Sequence, residues 1–150
     1  MQLVYSFLAE AAEVIPSRGQ FFVYCGGVET IPCPGLPGFV PMLAYVGKIQ
    51  ILPEERNVVH NTQLRCLRPT GELLFPAMDS RFDPTGIVSP PDRPSYHLFV
   101  VNFRGVQIQE HGEHRFVLSC DGNDLGSVSF FAEPLPSGQT QRIAPEAGNE

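Results

Sequence analysis

The residues of this chain that most resemble a metal site lie in one short polar segment, Glu110–His114. This segment carries two imidazoles and two carboxylates, and a third Zn²⁺ ligand such as His60 or His97 would have to come from elsewhere in the fold. The H-E-x-x-H spacing that aligns two histidines on one helix face is absent. We therefore treat His111 and His114 as weak metal candidates in a surface turn, and expect neither a metal nor a cofactor.

The four cysteines offer a second kind of chemistry, a Cys–His nucleophile pair. A reactive thiolate needs a cationic neighbour or a helix N-terminus, and Cys66, directly after Arg65, comes nearest. In a strand, however, adjacent side chains point to opposite faces, so Arg65 would not face this thiol. We expect Cys25, Cys66 and Cys120 to pack in the core and Cys33 to lie in a loop. No C-x-x-C pair is present.

The other common signatures of catalysis are missing from the sequence. There is no G-x-S-x-G nucleophile elbow and no glycine-rich phosphate loop. Gly26 and Gly27 follow a strand-like segment but lead into Val28–Ile31, which is not a helix start. These observations predict that the chain is not an enzyme.

Charge and hydropathy narrow the class of partner. Ten Lys and Arg residues against sixteen Asp and Glu residues give a net charge of −6, which repels phosphate backbones and argues against nucleic acid. No segment approaches the roughly 20 apolar residues that a membrane span needs. The N-terminus lacks a cationic signal-peptide start, so we expect a cytoplasmic protein. Nine of the ten cations are arginines, which suggests a bacterial genome.

The sequence pattern predicts that the elements that position these residues are short strands. Apolar residues make up 43% of the chain, with 15 Pro and 14 Gly, a composition that excludes a wholly disordered chain and forbids long helices. The clearest signal is a hairpin in which Phe116, Leu118 and Cys120 alternate up to an Asp121-Gly122 turn. Eight or nine strands at such spacings predict an all-β, antiparallel β-sandwich of the immunoglobulin-like kind, with a closed barrel as the alternative.

The remaining segments give a coarse order of elements. A first hairpin joins residues 2–14 to 21–25 across a turn at 16–19; a short helix over Glu10–Val14 is the alternative for part of it. Because proline lacks a backbone N–H, residues 32–38 cannot pair within a central strand, and we expect them to form a loop that crosses between strands. Further strands are expected at 28–31, 42–52, 58–67, 73–75 and, weakly, 79–83, with 58–67 and 73–75 as a second hairpin. The strand 96–103 is apolar at nearly every position and should be covered on both faces or lie at the sheet centre. The predicted domain covers residues 1–133, followed by a disordered tail at 134–150.

Paired aromatic residues indicate a contact surface. Runs such as Phe21-Phe22 and Phe130-Phe131 place large side chains on both faces of one strand, and only one face can line the core. The other face must be covered by loops or by a partner. The candidate contact residues are Phe22, Phe99, Phe103 and Phe131.

The chain also resembles a family of small bacterial proteins known as a domain of unknown function. The matching residues are Tyr5–Ala12, Gly19–Gly27, Val106–Gly112 leading into Arg115–Leu118, and Asp121-Gly122. The resemblance spans residues 2–132 and implies a compact all-β fold with no assigned activity. One departure is His114, where an aromatic residue is more usual in the family.

We therefore expect a non-catalytic sandwich that acts through a protein partner or through self-association, as a subunit or adaptor of a bacterial assembly. The alternative is a small-ligand module with a pocket between the loops at 32–41 and 84–94. A metal-dependent enzyme using the His111 and His114 region is a third, weaker hypothesis.

Overall fold

Nine strands form two sheets in the computed structural model, which describes residues 1–15, 20–87 and 89–135. The strands are β1 (Gln2–Ile15), β2 (Gln20–Gly26), β3 (Thr30–Pro32), β4 (Gly38–Ile51), β5 (His60–Leu67), β6 (Met78–Phe82), β7 (Ser95–Ile108), β8 (Gly112–Cys120) and β9 (Asn123–Glu133). Two single-turn 3₁₀ helices, Pro53–Glu55 and Pro84–Gly86, are the only helices in these ranges. No helix among the described residues is long and apolar enough to cross a membrane.

The sheets divide the chain unevenly. Sheet 1 has the order β2-β1-β4-β7, and sheet 2 has the order β3-β9-β8-β5-β6. Every described pairing is antiparallel except that of β3 with β9. The predicted all-β sandwich is confirmed. The predicted turn at 16–19 and the predicted tail from residue 136 onward lie outside the described residues.

The core forms between the two sheets because alternate side chains of each strand point inward. Phe116 and Phe130 of sheet 2 are fully buried, as are Tyr45 and Ile49 of sheet 1. The rings of Tyr45 and Phe116 lie 5.8 Å apart, so the two inner faces meet directly. This contact makes the architecture a sandwich with a single main core.

The hairpin of β8 and β9 closes as the sequence predicts. Asp121 and Gly122 connect the two strands, with φ of 49° and 81°. Positive φ at both central residues is the geometry of a type I′ turn, whose twist matches that of the strands it joins. The turn is further held by the Asp121 amide, which donates to the Asn61 carbonyl at 2.8 Å.

Sheet 1 splits at one end. The pairing of β1 with β4 ends at Ala9 and Ala44, while β1 continues to Ile15 paired with β2 alone. We call the segment 10–15 with 20–26 the arm. Where β1 no longer pairs with β4, the Asn102 side chain of β7 accepts a hydrogen bond from the Ala12 amide at 3.0 Å and donates one to the Ala12 carbonyl at 2.8 Å.

Two details of the predicted strand pairing were wrong. In sheet 2, β5 pairs with β6 and with β8, and the segment 73–75 contributes only a single bridge, between Leu67 and Leu73. The strand 96–103, expected either to be covered on both faces or to lie at the sheet centre, lies in β7 at the edge of sheet 1. Its apolar run is explained by packing on both faces. Phe99 packs on Tyr45 at the inner face, and Val100 packs against the apolar cluster of the outer face.

Candidate functional site

The outer face of sheet 2 is mainly polar, with Phe131 as an exposed exception, and several of its side chains pair with one another. Arg65 contacts Asp124 at 2.5 Å, and Gln63 donates to Asp79 at 2.8 Å. The Ser129 hydroxyl donates to Glu113 at 2.6 Å. Such a surface is well solvated and needs no cover.

The outer face of sheet 1 is apolar. Ala9, Ala12, Ala44 and Val46 are buried there and form a second cluster, separate from the main core. Half-buried side chains surround this cluster, namely Tyr5, Phe7, Phe21 and Val100. The arm covers one part of the face, because Ala12 belongs to it and packs within the cluster.

A lysine lies at the far end of this apolar face. The Nζ of Lys48 is 4.6 Å from the centre of the Tyr96 ring and 5.9 Å from that of Tyr5. A cation over an aromatic face is attracted by the ring quadrupole. The only lysine of the chain is therefore held between two rings of the face.

Two highly exposed aromatic residues of sheet 1 lie on the arm. Phe22 is 69% exposed and Tyr24 is 66% exposed, and both side chains project from the same face of β2. They line a groove of about 530 Å³ together with Met42 and Arg104. We call Phe22, Tyr24, Met42 and the groove beside them the arm surface.

The four predicted contact phenylalanines divide into two pairs. Phe22 and Phe131 are exposed. Phe99 and Phe103 instead pack against the main core, Phe103 with its ring 5.4 Å from that of Phe116. Because β7 directs both side chains inward, they are partly buried, but Phe103 also lines the groove beside Phe22 and Tyr24. A contact role for Phe99 and Phe103 stays a prediction.

Sequence reasoning missed Tyr24 and Met42 because both fall in strands that were expected to be half-buried. It also missed Phe39, which is 67% exposed beside Gly105 of β7. No local signal distinguishes these residues from core residues. Their exposure follows from the splitting of sheet 1, which is a tertiary event.

Among the described residues, the weak metal candidates are not brought together with a third ligand. His111 is exposed and its Nε2 lies 2.9 Å from the Cys33 carbonyl, whereas His114 is fully buried. The His114 ring stacks on Phe130 with centroids 5.0 Å apart, and its Nδ1 lies 3.1 Å from the Gly112 carbonyl. The expectation that His114 is a surface residue was wrong.

A different histidine lies in a charged setting. The Nδ1 of His60 is 2.7 Å from a carboxylate oxygen of Asp121, and its Nε2 is 2.9 Å from the Glu55 carbonyl. Burial lowers the pKa of His60, but the hydrogen bonds to Asp121 and Glu55 and their charges outweigh burial and raise it. The same contact with His60 lowers the pKa of Asp121.

The three buried thiols are poorly suited to nucleophilic attack. Burial raises the pKa of Cys66 to about 12, and burial together with the Asp121 charge raises that of Cys120 to about 11. Cys33 is buried rather than loop-exposed, and Cys25, expected in the core, is exposed. Cys33 does lie in a loop, as expected, and is buried there beneath His111. The expectation for Cys25 was wrong, because β2 lies in the arm.

The two proline-rich loops do not form one pocket. Gly38 pairs with Ile108 and Ile51 pairs with Ser95, so the loops at 32–41 and 84–94 adjoin opposite ends of the β4–β7 ladder. The expected loop-end pocket between them was therefore wrong. A smaller groove of about 340 Å³ borders the first loop alone, beside Ile31 and Val40.

Comparison with known proteins gives one match. The model of a family described as a family of unknown function (DUF6941) matches residues 4–133. The matched range begins within β1 and extends to the last residue of β9. No curated protein and no solved structure matches the chain.

Proposed function

Because the chain belongs to DUF6941, a family to which no function is assigned, we propose its role from its own surface. We propose a non-catalytic β-sandwich protein that works through protein–protein contact, as a subunit or adaptor of a bacterial assembly. The contact is made by the arm surface and the apolar outer face of sheet 1.

The observation that carries this proposal is the difference between the two outer faces. Sheet 2 presents paired polar groups, whereas sheet 1 presents an apolar cluster next to two aromatic side chains that are more than half exposed. Exposed aromatic residues beside a groove are the usual anchors of a protein interface, since their burial removes a large apolar area from water.

The chemistry of the rest of the chain agrees with a binding role. The thiols with resolved shifts have raised pKa values, and His111 and His114 point into different environments. An enzyme site would need several polar groups converging in a cleft with pKa values suited to proton transfer. A ligand module would need an enclosed apolar pocket, and the arm groove is open to solvent.

Substitution of the two arm aromatics tests the proposal. Phe22→Ser with Tyr24→Ser should weaken association with the native partner at least about 30-fold, because a buried aromatic anchor typically contributes 2 kcal/mol or more. Affinity is measured by titrating the partner recovered from the host, and self-association by sedimentation of the chain alone. The free energy of unfolding should change by no more than about 0.5 kcal/mol, as is usual for exposed positions.

Phe131→Ser is the matched control, since Phe131 is also exposed but lies in β9 of sheet 2. It should leave association unchanged. Loss of binding in the Phe131 variant with retention in the arm variant would contradict the proposal. A second copy of the chain as the partner would be recognised by concentration-dependent sedimentation that the arm variant abolishes.

Two finer statements belong to the same proposal. We propose an immunoglobulin-like version of the sandwich, which the nine mostly antiparallel strands support. We propose a cytoplasmic location, which the four free cysteines support because thiols stay reduced there. Fractionation of the native host, with the chain found outside the soluble cytoplasmic fraction, would contradict the second statement.

A further inference from the structure

A histidine, a cysteine and an aspartate meet at the end of sheet 2 where β5 begins and β8 ends. His60 is the first residue of β5, Cys120 is the last of β8, and Asp121 follows in the type I′ turn. One ring nitrogen, the Sγ and one carboxylate oxygen lie within 4.8 Å of one another. This group includes no residue of the Glu110–His114 segment and lies outside the proposed contact face.

The three side chains line a cavity rather than an open surface. The cavity has a volume of about 160 Å³ and is also bordered by Met1, Glu55 and Asn123. His60 and Cys120 are buried, whereas the Asp121 side chain is 47% exposed. One water occupies about 30 Å³ of liquid, so the cavity has room for an ion with its remaining water, entering past Asp121.

Backbone groups already orient two of the three side chains. The Glu55 carbonyl faces His60 Nε2 at 2.9 Å, which leaves Nδ1 directed into the cluster. The Asn61 amide donates to Asp121 Oδ1 at 2.9 Å, which leaves Oδ2 directed towards His60. Histidines that bind metals usually donate their other ring N–H to a carbonyl or carboxylate, and this arrangement is the same.

We propose that His60 Nδ1, Cys120 Sγ and Asp121 Oδ2 bind a divalent transition metal ion of the zinc class. The fourth position is open to the cavity and is taken by water. On binding, the Cys120 thiol proton and the proton between His60 and Asp121 pass to solvent, and three metal–ligand bonds form.

The donor set selects the class of metal. A thiolate with an imidazole suits Zn²⁺ and its neighbours, whereas Ca²⁺ and Mg²⁺ require oxygen ligands throughout. Bonds of about 2.0 Å to nitrogen and oxygen in a tetrahedral site separate the two ligand atoms by about 3.3 Å. The 2.7 Å contact between His60 and Asp121 must therefore widen slightly, which the exposed Asp121 side chain can accommodate.

Titration of the full chain with Co²⁺ tests the proposal, because a cobalt–thiolate bond gives a charge-transfer absorption that other ligands do not. We expect one equivalent to bind with this band and Zn²⁺ to displace it. Cys120→Ser should abolish the band and weaken Zn²⁺ binding about 100-fold or more, since even partners outside the ligand set typically contribute 10–100-fold. Asp121→Asn should weaken binding while leaving the thiolate band in place.

Cys66→Ser is the matched control, because Cys66 is a buried thiol of β5 away from this cavity. It should retain the band. Absence of stoichiometric binding in the parent chain would overturn the proposal. A band that persists in Cys120→Ser, or that is lost only in Cys66→Ser, would overturn it as well. Circular dichroism of each variant shows whether it is folded. If Cys120→Ser does not fold, Asp121→Asn, a substitution in a half-exposed turn, decides the result.

Discussion

His114 fills a position in the core where the neighbouring side chains are aromatic. Its ring stacks on Phe130, which in turn lies 6.2 Å from Phe116. One ring nitrogen faces the Gly112 carbonyl, but Nε2 is buried without a partner among the described residues. The imidazole thus serves as an aromatic packing group, at the cost of leaving one polar atom unsatisfied.

The burial of His114 predicts acid sensitivity. Burial lowers its pKa, which the Gly112 carbonyl and Glu110 only partly offset while Arg68 lowers it further. The unfolded chain then binds the proton more readily than the folded one, so the contribution to stability is complete above about pH 6.5 and is lost as pH falls below it. His114→Phe should remove the contribution of this residue, a slope of at most about 1.4 kcal/mol per pH unit, and leave that of His97, whose pKa burial also lowers.

Denaturant unfolding of parent and variant between pH 7 and pH 5 checks this prediction. At pH 7 the two should differ by no more than about 1 kcal/mol, because the lost hydrogen bond and the removed buried nitrogen offset each other. His111→Phe is the control at an exposed position and should leave the parent's slope unchanged. Equal slopes for His114→Phe and the parent would show that His114 is not the group responsible.

At the scale of elements, the splitting of β1 from β4 decides where the functional surface lies. Beyond Ala9 the strand pairs only with β2, and β4 from Gly38 to Leu43 pairs only with β7. Asn102 fixes the separated arm by satisfying both backbone groups of Ala12. This amide side chain, together with the packing of Ala12 in the apolar cluster, therefore holds the arm in position.

Asn102→Ala should loosen the arm. Loss of the side chain leaves the Ala12 amide and carbonyl without their partner, which should lower the free energy of unfolding by about 1–2 kcal/mol. Hydrogen exchange should rise in residues 10–15 and 20–26 and stay unchanged in β8 and β9. Gln107→Ala, at an exposed position of the same strand, is the control. Unchanged exchange in the arm of Asn102→Ala would show that packing alone holds it.

At the scale of the whole molecule, the fold determines which thiols meet solvent. Cys66 and Cys120 lie on the inner face of sheet 2, and Cys33 is covered where the chain turns back towards Glu133. Cys25 lies at the end of the arm with φ of 48° and is exposed. The accessibility of the four thiols is therefore a direct test of the overall arrangement.

One thiol per chain should react rapidly with an alkylating reagent in the native state, and the other three only in denaturant. Mass spectrometry of the labelled peptides should place the rapid label on Cys25. Cys25→Ser should remove the rapid phase without changing the slow one. Rapid native labelling of Cys66 or Cys120 would contradict the placement of β5 and β8 in the core.

Local patterns were sufficient for the fold class. Alternating apolar residues around Asp121-Gly122 predict the β8–β9 hairpin and its inward side chains, because a tight turn and a period of two are properties of adjacent residues. The same local reasoning correctly placed β1 and β2 as a hairpin. It failed for the partner of β5, since pairing between segments depends on which faces can be buried together.

The sequence by itself determined that this protein is an all-β sandwich of short strands without a recognisable catalytic motif. It also showed more aromatic residues than one core face can bury. Only the tertiary structure decided which phenylalanines face inward, which cysteine is exposed, and that His60 meets Cys120 and Asp121. These outcomes depend on the splitting of sheet 1 and on contacts between residues far apart in the chain. Such contacts are set by the packing of the two sheets together, and no local spacing records them.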